Sequence, residues 1–191
     1  SALLEGMAEG QVTIEGETHI LPSPFFVMAT QNPLDLVGTY PLPDSQLDRF
    51  LLSFALGYPD PAAERELLTT EDRSRVLDRT TALLTPDDVK ALQDDCERIH
   101  VSENLLDYIQ ALLQETRDER WFETGLSPRA GLALLRASRA LSFLDNRDFV
   151  TPEDVKTVFT GLARHRLSPT SGFSQSPEEQ IQELLDQVPI P

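Results

Sequence analysis

The chain of 191 residues has one cysteine, two lysines, three histidines and no apolar run long enough to cross a membrane as a helix. A single thiol, Cys96, excludes a disulfide within the chain and suits a reducing compartment; its surroundings predict a buried or half-buried helix position. No apolar run reaches about 18 residues, and the first ten residues are not a basic-plus-apolar leader. The expectation is therefore a cytoplasmic protein without membrane insertion. His19, His100 and His165 have no Cys or His companion at ligand spacing, so no metal site is expected. Ser53, Ser127 and Ser138 lack the glycine-flanked elbow of a serine nucleophile. Cations are scarce as well: 16 Lys+Arg against 32 Asp+Glu gives a net charge of -16. The basic residues do not cluster, so nucleic acid and anionic membrane surfaces are repelled.

What is present divides into a short mixed part and a long helical one. Ala2, Leu3, Leu4 and Met7 form a helical stripe that stops at Gly10, and Ser1 is its sole candidate cap. A start already in helical pattern suggests part of a longer chain. Gln11 to Ile14 and Thr18 to Ile20 flank Glu15-Gly16-Glu17, the pattern of a β-hairpin with an acidic tip. The unbroken apolar run Phe25 to Ala29 predicts a strand buried on both faces, delivering Asn32 at its carboxyl end. A helix over Asp44 to Arg49 and a strand over Phe50 to Leu56 follow, and the composition turns helical near Tyr58.

Beyond that point the start signals repeat. Asp60-Pro61, Thr85-Pro86, Ser127-Pro128 and Thr151-Pro152 each place a capping side chain before a proline that suits the first helical position. Ser102 caps a helix to about Arg117. In the helix from Ser127 to about Leu144, Ala130, Ala133, Leu134, Ala137 and Leu141 recur at three- and four-residue steps, marking the centre of the helical part. Trp121-Phe122 reads as a packing wedge. Residues 176–185 read either as a docked helix or as a loose tail.

Three polar residues could carry chemistry. The Asn32 carboxamide both donates and accepts, so it can hold a phosphate oxygen and a water; Asn-Pro is also an ordinary turn signal. Arg49 has its helix's apolar residues, Leu47 and Phe50, as neighbours, which frees its guanidinium for a phosphate, although Asp48 offers a plainer partner. Arg129 lies in the first turn of its helix, where exposed backbone donors and the dipole favour an anion; a solvated arginine after a cap is the ordinary alternative.

The blocks Ser1 to Ile14, Phe26 to Pro33, Gly38 to Pro43, Gln46 to Phe50 and Ser127 to Ala130, in that order, closely resemble the MoxR family of AAA+ ATPases, over residues 1 to about 168. The resemblance implies the remnant of an αβα core at 1–58, an α-helical lid at 59–168 and a tail at 169–191, mostly helical overall. It implies that Asn32 is the sensor-1 residue, Arg49 an arginine finger acting in trans and Arg129 the sensor-2 residue. It also implies ATP and Mg2+ as cofactors of a complete bacterial protein, assembly into a ring (commonly a hexamer) and chaperone-like maturation of clients alongside von Willebrand factor A-domain proteins.

One departure is large. A phosphate-binding P-loop requires Gly-Lys, and no glycine in this chain precedes a lysine. The acidic strand that would hold Mg2+ is expected before Ser1. The chain alone is thus expected neither to bind nucleotide nor to hydrolyse it. The sheet is expected to re-pair, dimerise or fray, because by family resemblance the P-loop strand lies between the strands at 25–29 and 50–56. Two alternatives stay open at this point: a non-catalytic helical interaction module, and a DNA-remodelling AAA+ relative, which the acidic Glu15 and Glu17 disfavour.

Overall fold

The computed structural model describes residues 2–31, 42–69, 78–170 and 176–190. Helix α1 (Ala2–Glu9) leads into an antiparallel hairpin of β1 (Gln11–Ile14) and β2 (Glu17–Ile20), with Gln11 opposite Ile20 and Ile14 opposite Glu17. Glu15 and Gly16 form the turn with φ of 51° and 88°. Two consecutive positive φ values match the right-handed twist of the flanking strands, which is why glycine stands at this tip. The Glu5 carboxylate accepts hydrogen bonds from the Thr13 backbone N–H (3.1 Å) and hydroxyl (2.7 Å), fixing the helix to the hairpin.

The strands expected at 25–29 and 50–56 are not formed. Among the described residues the only sheet is β1-β2, and the two runs face water, with Phe26 80% and Leu56 89% exposed. A strand is held by a neighbour's backbone groups, and among the described residues no strand lies beside either run. Re-pairing, one of the three outcomes expected for the remnant sheet, is therefore not what the single chain does. Helix α2 (Asp44–Leu47) is one turn long, shorter than expected, and α3 (Pro61–Thr69) is opened by Asp60, whose Oδ1 accepts from the N–H groups of Ala62 (2.9 Å) and Ala63 (2.8 Å).

The packed body is helical: α4 (Pro86–Glu97), α5 (Glu103–Glu115), α6 (Pro128–Leu144), α7 (Pro152–Ala163) and α8 (Pro177–Gln187). Thr85, Ser102, Ser127, Thr151 and Ser176 each accept a backbone N–H with their side chain, so the capping signals act where the sequence placed them. Leu112, Leu134, Phe159, Leu162 and Ile181 are wholly buried and come from four different helices. Helix α6 is central. A Cβ at Gly131 would stand 2.6 Å from Leu113 Cδ1, so the missing side chain is what lets α5 lie close against α6.

The alternative left open for the C-terminus resolves as a docked helix, since Ile181, Leu184 and Leu185 of α8 belong to the same buried cluster. Trp121 and Phe122 are buried there too, in keeping with a packing wedge. Cys96 is half-buried on α4. No helix among the described residues is long and apolar enough to cross a membrane.

Candidate functional site

Helix α2 ends at Leu47, and the residues after it are fastened to the helical body rather than to a sheet. The fastening group is Arg166, three residues past the end of α7, with its side chain 4% exposed. Its Nε donates to Asp48 Oδ1 at 2.9 Å, its Nη1 to the Leu51 carbonyl at 3.2 Å and its Nη2 to the Asp48 carbonyl at 3.2 Å and the Phe50 carbonyl. Nη1 also donates to the Leu162 carbonyl of α7. A planar guanidinium with five donors in fixed directions can reach all of these acceptors at once, and a lysine could not. Burial pulls the Arg166 pKa down, and the Asp48 carboxylate opposes that pull.

The second fastening comes from α6. The Ser127 hydroxyl donates to Asp48 Oδ2 at 2.9 Å while accepting the Ala130 N–H at 3.1 Å, so one oxygen both caps α6 and holds the carboxylate. Two backbone contacts complete the junction. His165 Nε2 lies 3.0 Å from the Phe50 carbonyl, which can only accept, and the Ser53 N–H donates to the Gly161 carbonyl at 2.8 Å. Burial lowers the His165 pKa. A cavity of about 180 Å³ opens beside this network between Asp44, Asp48, Gly125 and Arg166. Gly125 has no room for a side chain, since a Cβ there would approach the Arg117 backbone within 2.8 Å.

Arg49 sits in the middle of the fastened segment and is not one of the fasteners. Its Nε is buried with no hydrogen-bond partner, and its guanidinium enters no ion pair among the described residues. Asp48, its plainest candidate partner in the sequence, is taken by Arg166 and Ser127. The rest of the Arg49 side chain is only half-buried. Arg129, the second residue of α6, is exposed, with the helix N-terminus beside it. The Asp48–Ser127 bond brings the two arginines' segments into contact, one residue from Arg49 and two from Arg129. Asn32 lies outside the described residues.

Both arginines carry a permanent charge, and neither enters an ion pair among the described residues. Among the described residues no group of three His, Cys, Asp or Glu is placed to hold one.

The mostly helical body and the short segment fastened to it fit a truncated AAA+ core with its lid. Residues 1–52 match the ATPase family associated with various cellular activities (AAA), and residues 114–187 match the AAA lid domain. The chain belongs to the AAA+ ATPases. Within them it is of MoxR type: it is 39% identical over 207 residues to Chaperone MoxR1 of Mycobacterium tuberculosis, covering 100% of this chain and 53% of that protein. It is 38% identical over 194 residues to YeaC of Bacillus subtilis (100% and 61% covered) and 28% identical over 217 residues to the protein MoxR of Methylorubrum extorquens (99% and 62%). A crystal structure from Cytophaga hutchinsonii, 34% identical, superimposes with a TM-score of 0.86 over 99% of this chain and 61% of that one. The chain thus spans between 53% and 62% of the length of these curated relatives.

Sequence reasoning missed Arg166, His165 and the bridging role of Ser127. One local signal was available: Arg164-His165-Arg166 follows a helix end, where exposed carbonyls attract cations.

Proposed function

We propose that this chain is the finger-and-lid portion of a MoxR-type ATPase that works as a ring and uses ATP hydrolysis to mature or activate client proteins. Asn32 reads the γ-phosphate as sensor 1, Arg129 reads it from the lid as sensor 2, and Arg49 completes the site of the adjacent subunit. The observation that carries the reading is Arg49 itself: a guanidinium with a buried Nε that lacks a partner, on a segment whose neighbouring carbonyls are bound by the lid. An arginine supplied to a neighbour's phosphates raises turnover by about 10³ to 10⁵.

The phosphate cradle and the Mg2+ ligands belong, in this reading, to the part of the complete protein that the relatives possess and this chain does not. By the same family reading the core ends near Tyr58, the complete protein works in the cytoplasm, and its partners include von Willebrand factor A-domain proteins. The test is ATP turnover by the chain alone and by the complete protein. Turnover is expected in the complete protein only. Hydrolysis by the chain alone would refute its inactivity, and a complete protein without turnover would refute the ATPase reading.

A further inference from the structure

We infer that Asp48, Ser127 and Arg166 form a clamp through which the lid positions Arg49. The inference rests on the proposed role of Arg49 as a finger.

The carbonyls of the residues on either side of Arg49, Asp48 and Phe50, are both bound by Arg166, and Phe50 is bound again by His165. The Asp48 carboxylate is divided between two lid elements, one oxygen to Arg166 beyond α7 and the other to Ser127 at the start of α6. The Ser53 N–H continues the attachment to Gly161 on α7. A rotation of the lid therefore carries the Arg49 backbone with it or breaks a nearly buried ion pair.

Ser127 makes the clamp directional. It caps the helix whose second residue is Arg129, so a displacement of that first turn by phosphate moves the hydroxyl bonded to Asp48. Phosphate state read by Arg129 in one subunit is thereby expressed in the finger offered to the next. Asp48 and Arg166 touch no reacting atom; they are positioning residues.

The experiment is a double-mutant cycle on the complete protein, crossing Asp48→Asn and Arg166→Lys with Arg49→Ala. Helix content, assembly mass and nucleotide affinity are measured for every variant beside turnover. Asp48→Asn keeps the side-chain shape, and Arg166→Lys keeps the charge but loses the fork. Each is expected to lower kcat by about 10²-fold, the effect of a misplacement near 1 Å, with nucleotide affinity unchanged. In the Arg49→Ala background neither is expected to lower it further.

Equal losses in both backgrounds would overturn the clamp, since the effect would not pass through Arg49. So would a large loss on Arg49→Ala with none on Asp48→Asn or Arg166→Lys. Turnover indifferent to Arg49→Ala would refute the finger itself, a separate failure that takes this inference with it. Should Arg166→Lys fail to fold, Asp48→Asn and Ser127→Ala decide the question by the same criterion.

Discussion

The Thr85-Pro-Asp-Asp88 and Thr151-Pro-Glu-Asp154 start signals are nearly the same in sequence, and replacing their last carboxylates should have very different consequences. Both aspartates close a capping box. Asp88 does so in water, bonded only to Thr85. Asp154 is 4% exposed and accepts from the Thr151 N–H (2.7 Å) and hydroxyl (2.8 Å), from the Ser142 hydroxyl (2.9 Å) and from Arg147 Nη1 (2.7 Å). It ties the end of α6 and the following loop to the start of α7. Asp154→Ala removes a cap, about 1 kcal/mol, and leaves the fully buried Ser142 hydroxyl without an acceptor for its proton, about 1–3 kcal/mol. The expected loss is roughly 2–4 kcal/mol, read by urea unfolding followed by circular dichroism.

Acid should reproduce part of this loss. Burial raises the Asp154 pKa, but the bonds from Arg147, Thr151 and Ser142 outweigh it and hold the group well below the usual carboxylate range. A carboxylate lowered on folding contributes stability above its unfolded pKa, about 3.9, and loses it as pH falls through the folded value. The wild-type chain should therefore lose more stability than Asp154→Ala on going from about pH 5 to strong acid. Equal losses for Asp88→Ala and Asp154→Ala near neutral pH would refute the reasoning, because burial of the second box would then count for nothing.

Two further outcomes follow from the same packing. His165 is expected to titrate by NMR below about 6.5, since burial, with the neighbouring Arg166 charge, outweighs the Phe50 and Gly161 carbonyls that favour its charged form. A histidine pKa lowered on folding contributes stability above about pH 6.5 that is lost on acidification, so His165→Gln should flatten the stability profile just below that pH; a titration at or above 6.5 would contradict this. Ending the chain at Ser168 removes Ile181, Leu184 and Leu185 from the core, each worth about 1.5–3 kcal/mol of burial, and cooperative unfolding should be lost. Retention of a sharp transition would mean that α8 is not part of the cooperative unit.

The helix starts were legible because capping is local: Thr85, Ser127 and Thr151 act within three residues of themselves. The hairpin was legible for the same reason, through the Glu15-Gly16 turn. Phe25 to Ala29 and Phe50 to Leu56 have strand composition, but a strand is completed by a neighbour, and apolar patterning says nothing of whether that neighbour is in the chain. Asp154 and Asp88 were indistinguishable in sequence because burial is a property of the surroundings. Arg49 and Arg129 were singled out by residue type and by the helices expected around them, although α2 stops at Leu47, before Arg49. Their connection was not found, because Asp48 reads as the partner of adjacent Arg49, whereas its actual partners, Ser127 and Arg166, lie 79 and 118 residues away.

The central claim, that Arg49 serves the nucleotide of an adjacent subunit, is tested most directly by mixing two inactive forms of the complete protein. One carries Arg49→Ala; the other has an intact Arg49 and a disabled P-loop lysine. Each alone should be inactive, and the mixture should regain turnover, because intact phosphate sites then meet intact fingers. A mixture no more active than its parents, although the two forms co-assemble, would contradict action in trans.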